Sequence, residues 1–210
     1  MHPPGRLDHR EPVPFEDEIS ADGVTVVAYR PQWVLEAAAL SDNLCAAMPT
    51  SLAVEHIGST AVPCMAAKDC LDMMIVVDEL FGAAAEQHLA PLGYRRRPEP
   101  WNNLEQAGGR ECPKEVYAPP AGARPCNIHV RTASSATSRL ALLFRDHLRA
   151  HPQRTAWWSE LKLAAAGSTS DLGGYGRIKY PAWCLLMELA DTWASDTGWA
   201  PPNYPHRVRS

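Results

Sequence analysis

The sequence lacks the features that mark membrane-spanning and disulfide-bonded exported proteins. No apolar run in its 210 residues approaches the roughly 20 residues that a membrane-spanning helix needs. The first twenty residues, MHPPGRLDHREPVPFEDEIS, carry proline and charge where a signal peptide has an apolar core. The six cysteines include no C-x-x-C pair. We therefore expect a cytoplasmic protein with reduced thiols and no membrane partner.

Composition excludes two further classes. A hydrophobic content of 46% and a charged content of 21% are globular values, so the chain as a whole is not disordered. The formal net charge of −4 gives no overall attraction to nucleic acid, and no nucleic-acid partner is expected. No internal repeat that would indicate a solenoid is present. The length fits one ordinary domain, and the oligomeric state is left open.

The chain divides into three parts by composition. Residues 1–21 are predicted to be a flexible N-terminal arm, residues 22–196 a single domain, and residues 197–210 a Pro-rich, basic tail. Apolar periodicity within the domain predicts strands at 24–29, 51–58, 70–77, 115–118 and 127–132, and helices at 31–48, 79–93, 139–151, 155–167 and 177–194. This order predicts an α+β fold, a small mixed sheet followed by a C-terminal helical part.

The stretch VEHIGSTAVPCMAAKDCLDMMIVV, residues 54–77, holds the strongest candidates for a site. Gly58 and Ser59 directly follow a predicted strand, where a glycine lets the backbone approach a ligand and a serine adds a donor for phosphate. Gly-Ser is also common in plain turns. Asp72 lies inside an apolar strand, where an unpaired charge costs several kcal/mol. Asp72 therefore needs a cationic side chain, a set of backbone donors or a metal ion such as Mg²⁺.

Three cationic residues are candidates for contacts with phosphate. Lys68 is the first choice, because it follows the small-residue turn and lies close to Asp72 in sequence. Arg131 and Lys179 are further candidates for the same role. Each of the three is alternatively the ion-pair partner of Asp72 or of an acid on a helix.

Three more residues are candidate metal ligands beside Asp72. Asp69 is either a second carboxylate of the site or a solvated loop acid. His56 and His129, if their strands are adjacent, add imidazoles to Asp72 in a set that suits Mn²⁺, Fe²⁺ or Zn²⁺ better than Mg²⁺. The alternative for both histidines is a packing role with satisfied hydrogen bonds.

Residues 55–77 resemble the signature of the GrpB family, whose usual form reads EHIGSTAVPGLAAKPIIDI. Three later segments resemble the same family: the histidine-containing strand NIHVR, the helix FRDHLRAHP and the Y-x-x-x-K spacing at its C-terminal side. The resemblance covers roughly residues 22–196. Cys64 and Asp69 stand where the family usually has Gly and Pro.

The GrpB family is similar in fold to the polymerase-β-like nucleotidyltransferases, and this resemblance implies a function. It implies that Gly58 and Ser59 hold the phosphates of a nucleoside triphosphate, ATP being the first choice, and that Asp72 holds Mg²⁺ or Mn²⁺. The implied reaction is transfer of a nucleotidyl group to a small-molecule acceptor, with Asp72, Ser59 and Lys68 as the catalytic residues. Cys70 stands where the superfamily's D-x-D pair has its first acid.

Two alternatives to the transferase stay open. The first is a non-catalytic or repurposed module that binds a phosphorylated metabolite on the same fold, which Cys70 favours. The second is a metallo-hydrolase that uses His56, His129 and Asp72. The sequence leans toward an enzyme, and it does not specify the acceptor or the base of the nucleotide.

Overall fold

A computed structural model of the chain describes residues 15, 23–80 and 84–204. The helices in this part are α1 (Gln32–Ala47), α2 (Ala84–Leu89), α3 (Ala136–Ala150), α4 (Pro152–Gly167) and α5 (Leu172–Thr197). The strands are β1 (Ala53–Ile57), β2 (Leu71–Val77), β3 (Arg95–Arg96), β4 (Leu104–Ala107), β5 (Arg110–Pro113), β6 (Glu115–Ala118) and β7 (Cys126–Thr132). Short 3-10 turns cover Ser59–Ala61, Ala90–Leu92 and Pro100–Asn102.

The main sheet has five strands in the order β1-β2-β7-β6-β3. Strand β2 lies inside it, antiparallel to β1 and parallel to β7, which explains why its sequence LDMMIVV is almost continuously apolar. The register places Asp72 beside Asn127 and Met74 beside His129. Strands β4 and β5 form a separate two-stranded hairpin.

Side chains of β2 alternate between the two faces of the sheet. Leu71, Met73 and Ile75 join the core formed with α1, which includes Trp33 and Leu44. Met74 and Val76 belong to a second core on the other face, with Ile57 and with Leu142 of α3. Asp72 shares the face of Met74, because residues two apart in a strand point the same way. The carboxylate of Asp72 is therefore on the side of the sheet that α3 covers.

The C-terminal helices pack against the turn that follows Ser59. Val62 and Met65 of this turn form a cluster with Leu148 of α3, Trp158 of α4 and Leu186 of α5. Helix α5 ends at Gly198, which has the left-handed φ of 68°. This packing brings α4 and α5 next to the segment that connects β1 to β2.

The beginning of the tail packs back on the domain. Trp199 Nε1 donates a hydrogen bond to Asp146 of α3 at 3.2 Å, and the Tyr204 hydroxyl donates to Glu55 of β1 at 2.9 Å. These contacts fix residues up to 204 to the α3 side of the sheet. The predicted arm, residues 1–21, lies outside the described residues apart from Phe15, whose ring is 4.3 Å from the Arg95 guanidinium.

The predicted α+β class, the small mixed sheet and the helical C-terminal part are confirmed, whereas one local prediction is wrong. The strand predicted at 24–29 is only a single bridge, with Val27 pairing with Ala67. The segment 94–123, for which no element except 115–118 was predicted, contains the β4–β5 hairpin. All six cysteines are free. Within the described residues, every helix is too short or too polar to cross a membrane.

Candidate functional site

A cleft lies between the main sheet and helices α3 and α5, with a cavity volume of about 320 Å³. Its polar lining comes from the sheet, the β4–β5 hairpin and the turn after β1, whereas its apolar wall comes from the two helices. The lining residues include Gly58, Asp72, Glu105, His129, Arg131, Phe144 and Trp183. The volume falls at the lower end of the range for small-molecule sites. The sequence-predicted residues Gly58, Asp72, His129 and Arg131 are thus brought together.

Gly58 adopts a backbone conformation that is essentially restricted to glycine. Its φ is 69° and its ψ is −166°. A Cβ at this position would collide with the Oδ2 atom of Asp72. Glycine therefore serves two purposes here: it allows the turn, and it leaves room for the Asp72 carboxylate against the backbone of residue 58.

The turn after Gly58 is held in place by two arginines of α3. Arg149 donates to the carbonyl of Ala61 from Nε and Nη2, at 2.9 and 2.7 Å. Arg145 donates to the carbonyl of His56 at 3.1 Å and to the carboxylate of Glu55 at 2.7 Å. Both arginines come from the FRDHLRAHP segment, so this helix has a positioning role for the turn.

The Asp72 carboxylate lines the cleft with a third of its side chain exposed. Asn127 Nδ2 donates to Asp72 Oδ1 at 3.0 Å, and His129 Nε2 lies 3.8 Å from the same oxygen. Burial acts to raise the pKa of the Asp72 carboxyl, but His129, Asn127 and the charge of Lys68 outweigh it, so the pKa is lowered. Asp72 is therefore ionised at neutral pH.

His129 lies next to Asp72 as a neutral imidazole. Burial and the charge of Arg131 lower the pKa of His129, and Asp72 opposes them only in part. The buried His129 Nδ1 makes no hydrogen bond within the part of the chain that the structure describes. A neutral imidazole beside a carboxylate can bind a divalent metal ion or accept a proton.

His56 does not join this pair. It pairs with Met73, whose side chain belongs to the α1 core, so His56 is on the opposite face of the sheet from Asp72. Its Nε2 is 2.9 Å from the Thr60 hydroxyl, and burial is the main cause that lowers its pKa to about 4. The structure thus gives His56 a role in holding the turn after Gly58.

Asp69 is also separate from the cleft. Its carboxylate accepts a hydrogen bond from Trp33 Nε1 at 2.8 Å and forms ion pairs with Arg30 and Arg124. Burial acts to raise the pKa of Asp69, but these donors and charges together lower it. Both oxygens of Asp69 are therefore engaged in tying the loop before β2 to α1.

The donor set of the cleft fits one divalent ion and does not fit a two-ion site. Among residues 15, 23–80 and 84–204 there is no group of three or more His, Cys, Asp and Glu that could hold a metal. Asp72 and His129 together suffice for an ion that takes its other ligands from water and from the phosphates of a substrate. Cys70 is next to this pair, since its sulfur accepts a hydrogen bond from Asn127 Nδ2 at 3.6 Å, and burial and the charge of Asp72 raise the pKa of its thiol to about 12.

Arg131, a predicted phosphate contact, is engaged by a carboxylate that the sequence did not reveal. Its Nε and Nη2 donate to both oxygens of Glu105 at 3.0 and 2.9 Å, and Lys114 Nζ donates to Glu105 at 2.6 Å. Burial acts to raise the pKa of Glu105, but these two cations outweigh it and lower the pKa. The three residues form a buried network with one net positive charge at the edge of the cleft.

The lysines of this chain are all at least partly buried. Four of the twenty Lys and Arg residues are lysines, Lys68, Lys114, Lys162 and Lys179, and none of the four is exposed. Lys162 of α4 is 2% exposed, and its Nζ has no hydrogen-bond partner within the described ranges. Lysine is one of the residues least often buried, and a buried lysine is normally paired.

Sequence reasoning did not single out Lys162, although helical periodicity carried a signal. Helix α4 buries a stripe that begins at Thr155 and continues through Trp158 to Ala165. Lys162 falls on this stripe, three residues before Ala165 and four after Trp158. A charged residue at such a position is the pattern that points to a site.

The chain belongs to the GrpB family, since the family model described as GrpB protein matches residues 23–187. It is similar to the crystal structure of the conserved protein GrpB from Enterococcus faecalis, with a TM-score of 0.66 and 23% identity over 80% of this chain and 99% of that one. This likeness shows that the two proteins share a fold.

Two other similar proteins have named activities. The chain is 31% identical to a dephospho-CoA kinase of Mycolicibacterium paratuberculosis over 215 residues. The matched region covers 90% of this chain and 52% of that protein. The chain therefore spans about half the length of the curated relatives that it matches first. The Cid1 poly(U) polymerase, in a structure with Mg and 3′-dATP bound, has a TM-score of 0.47 and 14% identity over 73% of this chain and 49% of that one.

Proposed function

We propose that this chain binds a nucleoside triphosphate and one divalent cation in the cleft at Asp72, and transfers a nucleotidyl group to a small-molecule acceptor. The observation that carries the proposal is the close approach of Asp72 to the backbone of Gly58, which places an ionised carboxylate against the turn that begins at Ser59. A phosphate cradle beside a metal-binding carboxylate is what nucleotidyl transfer requires. ATP is the first nucleotide to test, with Mg²⁺ or Mn²⁺.

Each side chain has a distinct role in the proposed site. The Ser59 hydroxyl makes no hydrogen bond within the described part of the chain and donates to a phosphate oxygen. Asp72 and His129 are the residues that would hold the cation, which when bound neutralises charge on the reacting phosphate. Phe144 and Trp183 offer an apolar wall against which a nucleobase packs.

The kinase activity in the name of the Mycolicibacterium relative is not carried over to this chain. A P-loop that cradles ATP phosphates has the sequence G-x-x-x-x-G-K-[S/T], and the dipeptide Gly-Lys does not occur in these 210 residues. The cleft at Asp72 is a different arrangement of donors. The shared region therefore supports a common domain, and phosphorylation of dephospho-CoA is not proposed for this chain.

A second candidate is a module that binds a phosphorylated metabolite without turnover. Cys70 favours it, because this thiol replaces the first acid of the D-x-D pair and stays protonated. The metallo-hydrolase alternative has less support, since His56 lies on the opposite face of the sheet from Asp72. The two candidates differ in turnover: the transferase releases pyrophosphate when an acceptor is present, and the binding module does not.

The test is thermal stabilisation by ATP, GTP, CTP and UTP, each with and without Mg²⁺ or Mn²⁺. Wild type is compared with Ser59→Ala and Asp72→Asn, and with the surface variants Ser195→Ala and Asp191→Asn as matched controls. We expect a metal-dependent shift that both cleft variants lose and both controls keep. No shift with any nucleotide would contradict the proposal. A shift without release of pyrophosphate in the presence of candidate acceptors would favour the binding module.

A further inference from the structure

Basic side chains outnumber acidic ones around the cleft, although no lysine lines it directly. Asp72 is one anion, and the charge of Glu105 is already exceeded by Arg131 and Lys114. Lys68, Lys162 and Lys179 come in addition. The Nζ atom of Lys162 has no hydrogen-bond partner within the described residues, so its buried amine is a group that an anionic ligand would satisfy.

Lys162 is brought to the cleft by a contact between α4 and the loop that leads to β2. Ser159, three residues before Lys162 on the same helix face, accepts a hydrogen bond from the backbone of Ala66 at 3.1 Å. Lys68 follows Ala66 by two residues. The hydroxyl of Ser159 also donates to the carbonyl of Thr155 at 2.8 Å, so the helix turn that carries Lys162 is fixed. The buried ammonium of Lys162 therefore lies beside the loop that carries Lys68.

Lys179 approaches from α5. Its Nζ lies 4.2 Å from the centre of the Tyr175 ring, one helical turn earlier. Burial and the charge of Lys179 lower the pKa of Lys162 to about 7, and burial and the charge of Lys68 lower the pKa of Lys179 to about 8. Asp72 opposes both effects. The three lysines and Asp72 thus form one electrostatic cluster in which the amines repel each other.

We propose that Lys68, Lys162 and Lys179 form a subsite that binds a chain of linked phosphate groups without a divalent cation. The proposal rests on the proposed function, because the subsite adjoins the same Asp72 cleft and receives the phosphates that are not transferred. Lysine ammonium groups suit this role as compact point charges with three donors each. One phosphate group cannot contact amines from three elements as fully as two or three linked groups can. The ligand class is therefore a polyphosphate.

The donor set explains why lysines take this role. In a two-ion site the second cation neutralises the oxygens of the phosphate chain, and carboxylates hold that cation. Here Cys70 replaces the acid that would share such an ion with Asp72, and three amines stand nearby. A carboxylate at position 70 would hold a second cation that neutralises the phosphates. In its absence the lysine cluster supplies this positive charge.

The test measures binding of inorganic tripolyphosphate, pyrophosphate and orthophosphate to the full chain by calorimetry, with a chelator present to remove divalent cations. The variants are Lys162→Met and Lys179→Met, and the matched control is Arg177→Met, which removes an exposed cation from the same helix as Lys179. We expect affinity to increase with the number of phosphates and to fall about tenfold or more in each lysine variant. Arg177→Met should bind as wild type does.

Two outcomes would overturn the inference. If tripolyphosphate binds wild type and both lysine variants with equal affinity, the binding site is elsewhere, for example at surface arginines. Absence of tripolyphosphate binding to wild type would mean that the cluster holds no phosphate chain. Lys162→Met removes a buried charge and is expected to fold, and Lys179→Met provides the second, independent reading. Nucleotide binding with metal at Asp72 is measured separately, so either proposal can fail while the other stands.

Discussion

Replacing Gly58 by alanine tests the geometry on which the site depends. An alanine at φ 69° and ψ −166° is in a region that costs about 1–3 kcal/mol. Its Cβ also overlaps the Asp72 carboxylate, which must move and give up the hydrogen bond from Asn127. A hydrogen bond to a charged group contributes about 1.5–3 kcal/mol. We therefore expect Gly58→Ala to lower the free energy of unfolding by about 2.5–6 kcal/mol in all.

The first control is Gly198→Ala, which gives the cost of a positive φ at a position where the added Cβ has room. Gly198 also has a positive φ, 68°, but a Cβ there meets no atom within 4 Å. Its replacement should cost only the left-handed backbone term of about 1–2 kcal/mol. Both variants are measured by denaturant unfolding monitored through tryptophan fluorescence. Equal costs at positions 58 and 198 would refute the claim that Asp72 packs against the turn.

A double-mutant cycle with Asp72→Ala isolates the contact further. Removing the carboxylate eliminates the Oδ2 overlap, although the Cβ of residue 72 remains 3.0 Å from the added methyl group. The cost of Gly58→Ala should then fall by about 1 kcal/mol or more, since neighbouring sites couple by 0.5–3 kcal/mol. If the two changes are additive, the carboxylate does not lie where the structure has it.

Two further predictions concern other parts of the chain. Cys64 is exposed with φ 62°, where the resembled family usually has glycine, so Cys64→Gly should raise the free energy of unfolding by about 0.5–1 kcal/mol. Cys45→Gly, in the last turn of α1, should lower it, and the same sign for both changes would contradict the argument. The second prediction follows from the pKa of Lys162, which folding lowers from 10.5 to about 7. Between these two pH values the lysine is protonated in the unfolded chain and largely neutral in the folded one. The free energy of unfolding should rise with pH across that window, by at most about 1.4 kcal/mol per pH unit from this residue. Lys162→Met should be more stable than wild type at pH 7 and should lack this part of the rise, and an identical pH profile would be evidence against burial of the ammonium.

Part of the site could be predicted from sequence because it follows the period of a strand. Asn127, His129 and Arg131 are two residues apart along β7, so the strand period predicts that they share one face of the sheet. Asp72 lies in the neighbouring apolar strand, where its charge marks it as a candidate for the site. Register between strands is not encoded locally, which is why His56 was grouped with Asp72 although its pairing with Met73 puts it on the other face.

The rest of the site depends on contacts between segments distant in sequence. Glu105 lies in a hairpin within a stretch of mixed Pro, Gly and charge, where no periodicity indicates strands. Its partner Arg131 is 26 residues further along the chain. Local patterns carry no information on such pairs, and an arginine whose guanidinium is already bound by a carboxylate is easily taken for a phosphate contact.

The division of charge between the two halves of the fold has a consequence for function. The sheet supplies the carboxylate, and α4 and α5 supply two of the three amines around it, so neither half holds a complete site. The packing of Val62 and Met65 on Trp158 and Leu186 joins the halves. A change in this packing would shift the lysines relative to Asp72 without touching any ligand-binding group. The C-terminal helices are therefore part of the proposed phosphate site, and variants in this apolar contact should weaken polyphosphate binding before they unfold the sheet.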